Sequence, residues 1–116
     1  MEMNKRERLL AAGIDLDSAL ERMMGNEALL DRFLNRFLDD PNYGMLAAAV
    51  ESGDAEGALT ASHTLKGVCG NLSMQRLFDL LTRQVAALRA GDFAAAREMM
   101  PQISQAYAEV TDAIRG

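Results

Sequence analysis

One histidine, His63, lies in the run Ala61-Ser62-His63-Thr64-Leu65-Lys66-Gly67-Val68-Cys69-Gly70-Asn71-Leu72, which also holds the single cysteine. Imidazole changes protonation close to neutral pH, and its neutral form offers a nucleophilic ring nitrogen. Such a nitrogen can attack a phosphoryl group, and the covalent product splits one transfer into two steps. Phosphoryl transfer depends mostly on in-line positioning and charge stabilisation. Lys66 follows at i+3, one helical turn on, where an ammonium offsets the charge of phosphoryl oxygens. Ser62 and Thr64 flank the imidazole and are candidates for orienting it.

Read as a helix at about 100° per residue, the stretch separates into two faces. Ala58, Ala61, Leu65, Val68 and Leu72 share one side, with Cys69 at its margin. His63, Lys66, Gly67 and Gly70 lie opposite, with Glu56 and Leu59 one to two turns earlier. His63 is therefore expected to point away from the core. A helix-interior glycine costs about 1 kcal/mol relative to alanine, so the pair on the histidine's own face implies that another molecule approaches the ring closely. Cys69 reads as a small buried core residue. The sequence carries no glycine-rich phosphate loop and no nucleotide-binding signature. One histidine and one cysteine argue against a metal site. No cofactor and no metal are expected on the chain itself, nor any use of ATP without a partner.

The same residues carry a family resemblance. Ser62-His63-Thr64-Leu65-Lys66-Gly67, then Gly70-Asn71-Leu72, resembles the A-H-x-L-K-G-x-x-G-N-[LI]-G signature of histidine-containing phosphotransfer (HPt) domains. Gly13-Ile14-Asp15-Leu16 and Asp17-Ser18-Ala19-Leu20 look like the family's opening. Leu34 to Asp40 is similar to its F-L-x-x-F-L-x-D helix, and Ala87-Leu88-Arg89-Ala90-Gly91-Asp92 to its later turn. The resemblance implies a helical bundle acting as a phosphorelay intermediate in two-component signalling. His63 would accept a phosphoryl group, at Nε2, from a receiver-domain phospho-aspartate or a sensor kinase and pass it to another receiver. The partners implied are response-regulator receiver domains and a hybrid sensor histidine kinase. The magnesium ion, Mg2+, would belong to the partner receiver. The chain would be a phosphohistidine carrier without kinase activity of its own.

Docking is expected on the face of Leu59, Gly67 and Gly70, with Gln84 added from the next helix. The family often places a glutamate or glutamine near the imidazole's other nitrogen. Ungapped register puts that position at Val85; a shift of one residue puts it at Gln84, and Arg83 lies close by. The family's glycine after Leu72 is replaced by Ser73, so the turn there is expected to differ locally.

Helices must position this surface, and the composition favours them. Alanine, leucine, methionine, arginine and glutamate abound, while proline numbers 2 and tryptophan is absent. We expect an all-α fold: an up-and-down four-helix bundle preceded by short N-terminal helices, as a single domain over residues 1–116. Helices are predicted from Lys5 to Ala12, from Asp15 or Asp17 to Met24, from Glu27 to Asp39 and from Tyr43 to Glu51. After the histidine helix, capped by Asp54, come Met74 to Ala90 and a last segment broken near Pro101. Leu29, Leu30, Phe33, Leu34, Phe37 and Leu38 form a wide apolar row read as core, with Leu30 or Phe37 as possible exposed docking edge. Val50-Glu51-Ser52-Gly53-Asp54-Ala55 and Leu88-Arg89-Ala90-Gly91-Asp92-Phe93 share a helix–Gly–Asp–helix joint, read as common capping chemistry.

The formal net charge of −5 argues against a nucleic-acid partner. No run approaches the roughly 20 apolar residues of a membrane span. The lone cysteine and the absence of a signal-peptide pattern point to a cytoplasmic location, and a monomer is expected. Met1 and the compact length favour a complete gene product over a piece of a larger hybrid kinase. Two other readings compete. One is a non-catalytic helical module that binds or sequesters a receiver domain. The other is the histidine-bearing dimerisation hairpin of a sensor kinase. Against that hairpin stand Thr64 where an acidic residue is usual and the lack of a proline several residues on.

Overall fold

A computed structural model describes residues 1–116 as eight helices in the order α1 (Met3–Ala11), α2 (Leu16–Arg22), α3 (Glu27–Phe37), α4 (Asn42–Ser52), α5 (Ala55–Asn71), α6 (Gln75–Arg89), α7 (Phe93–Glu98) and α8 (Met100–Arg115). The architecture is all-α, and four legs form the bundle. Helices α5, α6 and α8 are three of them. The fourth is α3 followed by α4, interrupted by the turn around Leu38–Pro41. Helix α4 packs along the first part of α5, and the end of α3 meets its last part. Helix α8 closes the bundle against α6 and α3. The Phe37 ring meets Tyr107 at 5.7 Å, and Tyr43 stacks on Tyr107 at 4.0 Å. These aromatic contacts fasten the break in the α3–α4 leg to α8.

Local chemistry explains most of the boundaries. Asp15, Asn26, Asp54 and Asp92 each accept a hydrogen bond from the backbone N–H three residues on, satisfying a donor at a helix start. Helix α3 stops at Phe37, short of the expected Asp39, because Leu38 to Asp40 tighten into i→i−3 bonds. Pro41 follows as the N-cap of α4. Pro101 sits in the first turn of α8, where its missing N–H costs nothing, so the expected break falls at Met99, just before it. The apolar row of α3 is core: Leu30 and Phe37, proposed from the sequence as a possible exposed edge, are both buried. One continuous apolar cluster draws on all eight helices.

The turn between α5 and α6 keeps a left-handed residue although no glycine is present. Ser73 has φ +54°, its N–H donates to Gly70 O (3.2 Å), and the Met74 N–H reaches back to Cys69 O (2.9 Å). That bonding pattern is the Schellman closure, which usually places glycine at the left-handed position. Ser73 carries it by being tied down. Its hydroxyl bonds to Ser18 Oγ (3.0 Å), and its carbonyl accepts from the Asp15 N–H (2.8 Å). Gln75 N–H to Gly13 O (2.9 Å) completes a small antiparallel bridge between Ile14 and Met74. The α1–α2 joint is thereby pinned to the end of the histidine helix. The turn departs from the family pattern in residue type while retaining a left-handed closure.

Ser73→Ala keeps the left-handed strain and loses the side-chain bond. It should lower the unfolding free energy by about 1 kcal/mol, whereas Ser73→Gly trades the bond for relief of strain and should stay nearer wild type. Urea denaturation of the pair checks this.

Candidate functional site

Helix α5 runs between α4 and α6, and those neighbours decide which of its residues meet solvent. Ala58, Ala61, Ser62, Leu65 and Cys69 are buried. Glu56, Thr60, His63, Thr64, Gly67 and Asn71 are exposed. Leu59, Lys66 and Gly70 are half-buried along the edge nearer α6. The buried arc is thus rotated towards α6 from the arc expected. Val68 is half-buried, while Cys69 and Ser62 are fully enclosed at 0 % exposure. Burial pushes the Cys69 thiol up to about 12, with the nearby Asp40 charge adding to the effect. A thiol so protonated is a packing group rather than a nucleophile.

His63 stands on the open arc, as the wheel predicts. The hydroxyls beside it are engaged elsewhere. Ser62 Oγ donates to Gln84 Oε1 (2.8 Å), and Thr64 Oγ1 donates to Thr60 O (2.9 Å) on its own helix. Neither orients the imidazole, contrary to the sequence expectation.

Gln84 departs furthest from its expected place. It was expected on the docking surface and as a candidate to orient His63, yet it is completely buried. Its amide nitrogen donates to Ala96 O (3.1 Å) and towards Met100 Sδ (3.2 Å), while its oxygen accepts from Ser62. One side chain therefore joins α5, α6, α7 and the start of α8. The reason is angular: Ser62 and His63 are about 100° apart on the helix, so a residue that faces Ser62 in the core is turned away from His63. Val85, the other register candidate, is also buried.

The two glycines on this face differ in their surroundings. A β-carbon at Gly67 would meet nothing within 4 Å, leaving bare space beside His63. A β-carbon at Gly70 would lie 3.1 Å from Phe78 Cε2. The clearance at Gly70, read from the sequence as room for a partner, is occupied by a ring from α6. The same ring underlies Lys66, whose Nζ stands 5.9 Å from its centroid. The sequence pattern does not single out Phe78, because it lies off the leucine row of α6. The available signal was a bulky aromatic outside that row, just across a short turn from a helix glycine.

A cleft of about 420 Å³ lies away from His63, between α2, α3 and the end of α5. Met23, Phe33, Phe37, Val68 and Leu72 form its apolar wall, and Arg22, Arg36, Asp40 and Asn71 complete its lining. No helix is long and apolar enough to cross a membrane.

The fold and site define a class: an all-α bundle that carries one exposed histidine on a helix packed over only part of its circumference. The model of the Hpt domain family matches residues 14–113. The chain belongs to that family, whose part in phosphorelay signalling is histidine phosphotransfer with the receiver domains and kinases of two-component systems. Neither a curated protein nor a solved structure matched the chain significantly.

Replacing Gln84 by leucine strands the buried Ser62 hydroxyl and leaves the Ala96 carbonyl with only the Met99 N–H (3.3 Å), and should cost about 1–3 kcal/mol of stability. Thermal or urea unfolding measures that loss. The glycines should also separate. Gly67→Ala should stabilise by up to about 1 kcal/mol because its methyl is unopposed, whereas Gly70→Ala should gain less, or lose, against Phe78. Parallel denaturation curves decide it.

Proposed function

We propose that His63 is the phospho-acceptor and donor of this domain. Its exposed position on α5, with open space at Gly67 and an ammonium one turn away at Lys66, is the observation that supports this reading. In the forward step Nε2 of the neutral ring attacks the phosphorus of a receiver-domain aspartyl phosphate. An N–P bond forms, the acyl phosphate P–O bond breaks, and the partner's aspartate leaves as a carboxylate. The imidazole retains its Nδ1 proton, and the positive charge left on the ring faces the negative phosphoryl group. The reverse sequence hands the group to another receiver.

Lys66 stabilises the phosphoryl oxygens as charge redistributes in the transition state. Gly67 admits the partner's loops to the ring, and half-buried Leu59 and Gly70 form the border of the same surface. The magnesium ion resides with the receiver, and this chain binds no cofactor. We take the domain to act as a cytoplasmic monomer over residues 1–116, serving receiver domains and a hybrid sensor kinase. A carrier of this kind has no autonomous kinase activity.

Incubation with a phosphorylated receiver and magnesium should label the wild type and leave His63→Gln unlabelled. The label should be acid-labile and base-stable, as a phosphoramidate is. A label that persists on His63→Gln would move the acceptor elsewhere. If several receivers bind without labelling either protein, the domain is a receiver-binding module without transfer.

A further inference from the structure

Lys66, at the edge of the open arc of α5, is the cation nearest in sequence to His63, and it takes part in none of the chain's ion pairs. What lies against it is an aromatic face. Its Nζ sits 5.9 Å from the Phe78 centroid, and the residue is half-buried. Phe78 is also half-buried, and its ring occupies the space that a side chain at residue 70 would need, with Cε2 3.1 Å from a β-carbon there. Thus α5 omits a side chain at Gly70, α6 supplies a ring in its place, and the ring carries the ammonium of the residue one turn back.

We propose that Phe78 is a positioning residue that holds Lys66 on the His63 face. A free lysine samples many rotamers and loses considerable entropy when it is localised. A carboxylate partner would localise it but would also cancel the charge needed by phosphoryl oxygens. The ring quadrupole restrains the ammonium and leaves its positive charge uncompensated. Gly70 leaves the ring in place, because a β-carbon there would crowd Phe78 Cε2 at 3.1 Å and the ring would have to yield. This proposal rests on the reading of His63 as acceptor, because only a phosphoryl group arriving there gives the positioned ammonium its use.

The test is a double-mutant cycle on the rate of phosphoryl transfer from a phosphorylated receiver with magnesium, under single-turnover conditions. Phe78→Leu, which keeps apolar bulk, should slow transfer about two- to fivefold. Phe78→Tyr, which keeps the ring, should restore the wild-type rate. In a Lys66→Ala background, Phe78→Leu should have no further effect. A structural readout runs beside it: the Lys66 ε-methylene protons should be shifted upfield by the ring in wild type and return to ordinary values in Phe78→Leu. Loss of rate that persists in full without Lys66 would overturn the proposal, because Phe78 would then act on docking or folding. An unchanged rate in Phe78→Leu would overturn it too, as would absence of the upfield shift in wild type. Failure of the wild type to take label would refute the relay reading and the kinetic role of Phe78 with it, while the upfield shift would still report whether the ring holds Lys66.

Discussion

Helix α5 must be gripped along one arc and bare along another, and the rest of the bundle is arranged around that division. The nucleophile proposed at His63 would need a rigid base and unobstructed approach. The base comes from α4 and α6 on either side, and from Ala58, Ala61, Leu65 and Cys69 packed inward. The small residues among them let neighbouring helices approach closely, and the exposed arc is left to His63, Thr64 and Gly67. A second layer of helix over that arc would bury the imidazole.

Polar chemistry inside the bundle reinforces the grip. Buried amides and hydroxyls are costly unless paired, and the Ser62–Gln84 pair is fully paired. Its bonds are directional, unlike apolar contacts, so they set the rotation of α5 relative to α6 and α7. That rotation determines that Ser62 faces inward and His63 outward. At the far end, Ser73 and its bonds to Ser18 and Asp15 anchor the same helix against the N-terminal segment. Rotation and axial position are thus fixed by two separate polar clusters, and neither involves the imidazole.

Electrostatics on the open face are sparse. The chain is acidic overall, with a net charge of −5, yet the residue one turn from His63 is a lysine without a carboxylate partner. The ion pairs Lys5–Asp31 and Arg6–Glu27 join α1 to α3, and Arg76–Glu109 joins α6 to α8. Lys5, Arg6 and Arg76 thus tie helices together, while Lys66 rests on a ring, as Arg36 does on Phe33 and Arg97 on Phe93.

Much of this was legible from the sequence, for local reasons. Capping by Asp54 and Asp92, the breaks before Pro41 and near Pro101, and the outward direction of His63 follow from backbone chemistry and helical period. These constraints act within a few residues, so one chain segment determines them. Family membership was likewise written in the spacing of His63, Lys66, Gly67 and Gly70. Contacts between helices were not legible in this way. A wheel places Ser62 at the side of α5, but the position of α6 decides that it is core. Gln84 is polar and was read as surface; it is core because Ser62, Ala96 and Met100 together satisfy its amide. Gly70 looked like clearance for a partner until the fold brought Phe78 over it. The physical reason is common to all three: the helical period fixes directions within a helix, whereas what stands in a given direction depends on residues distant in the chain.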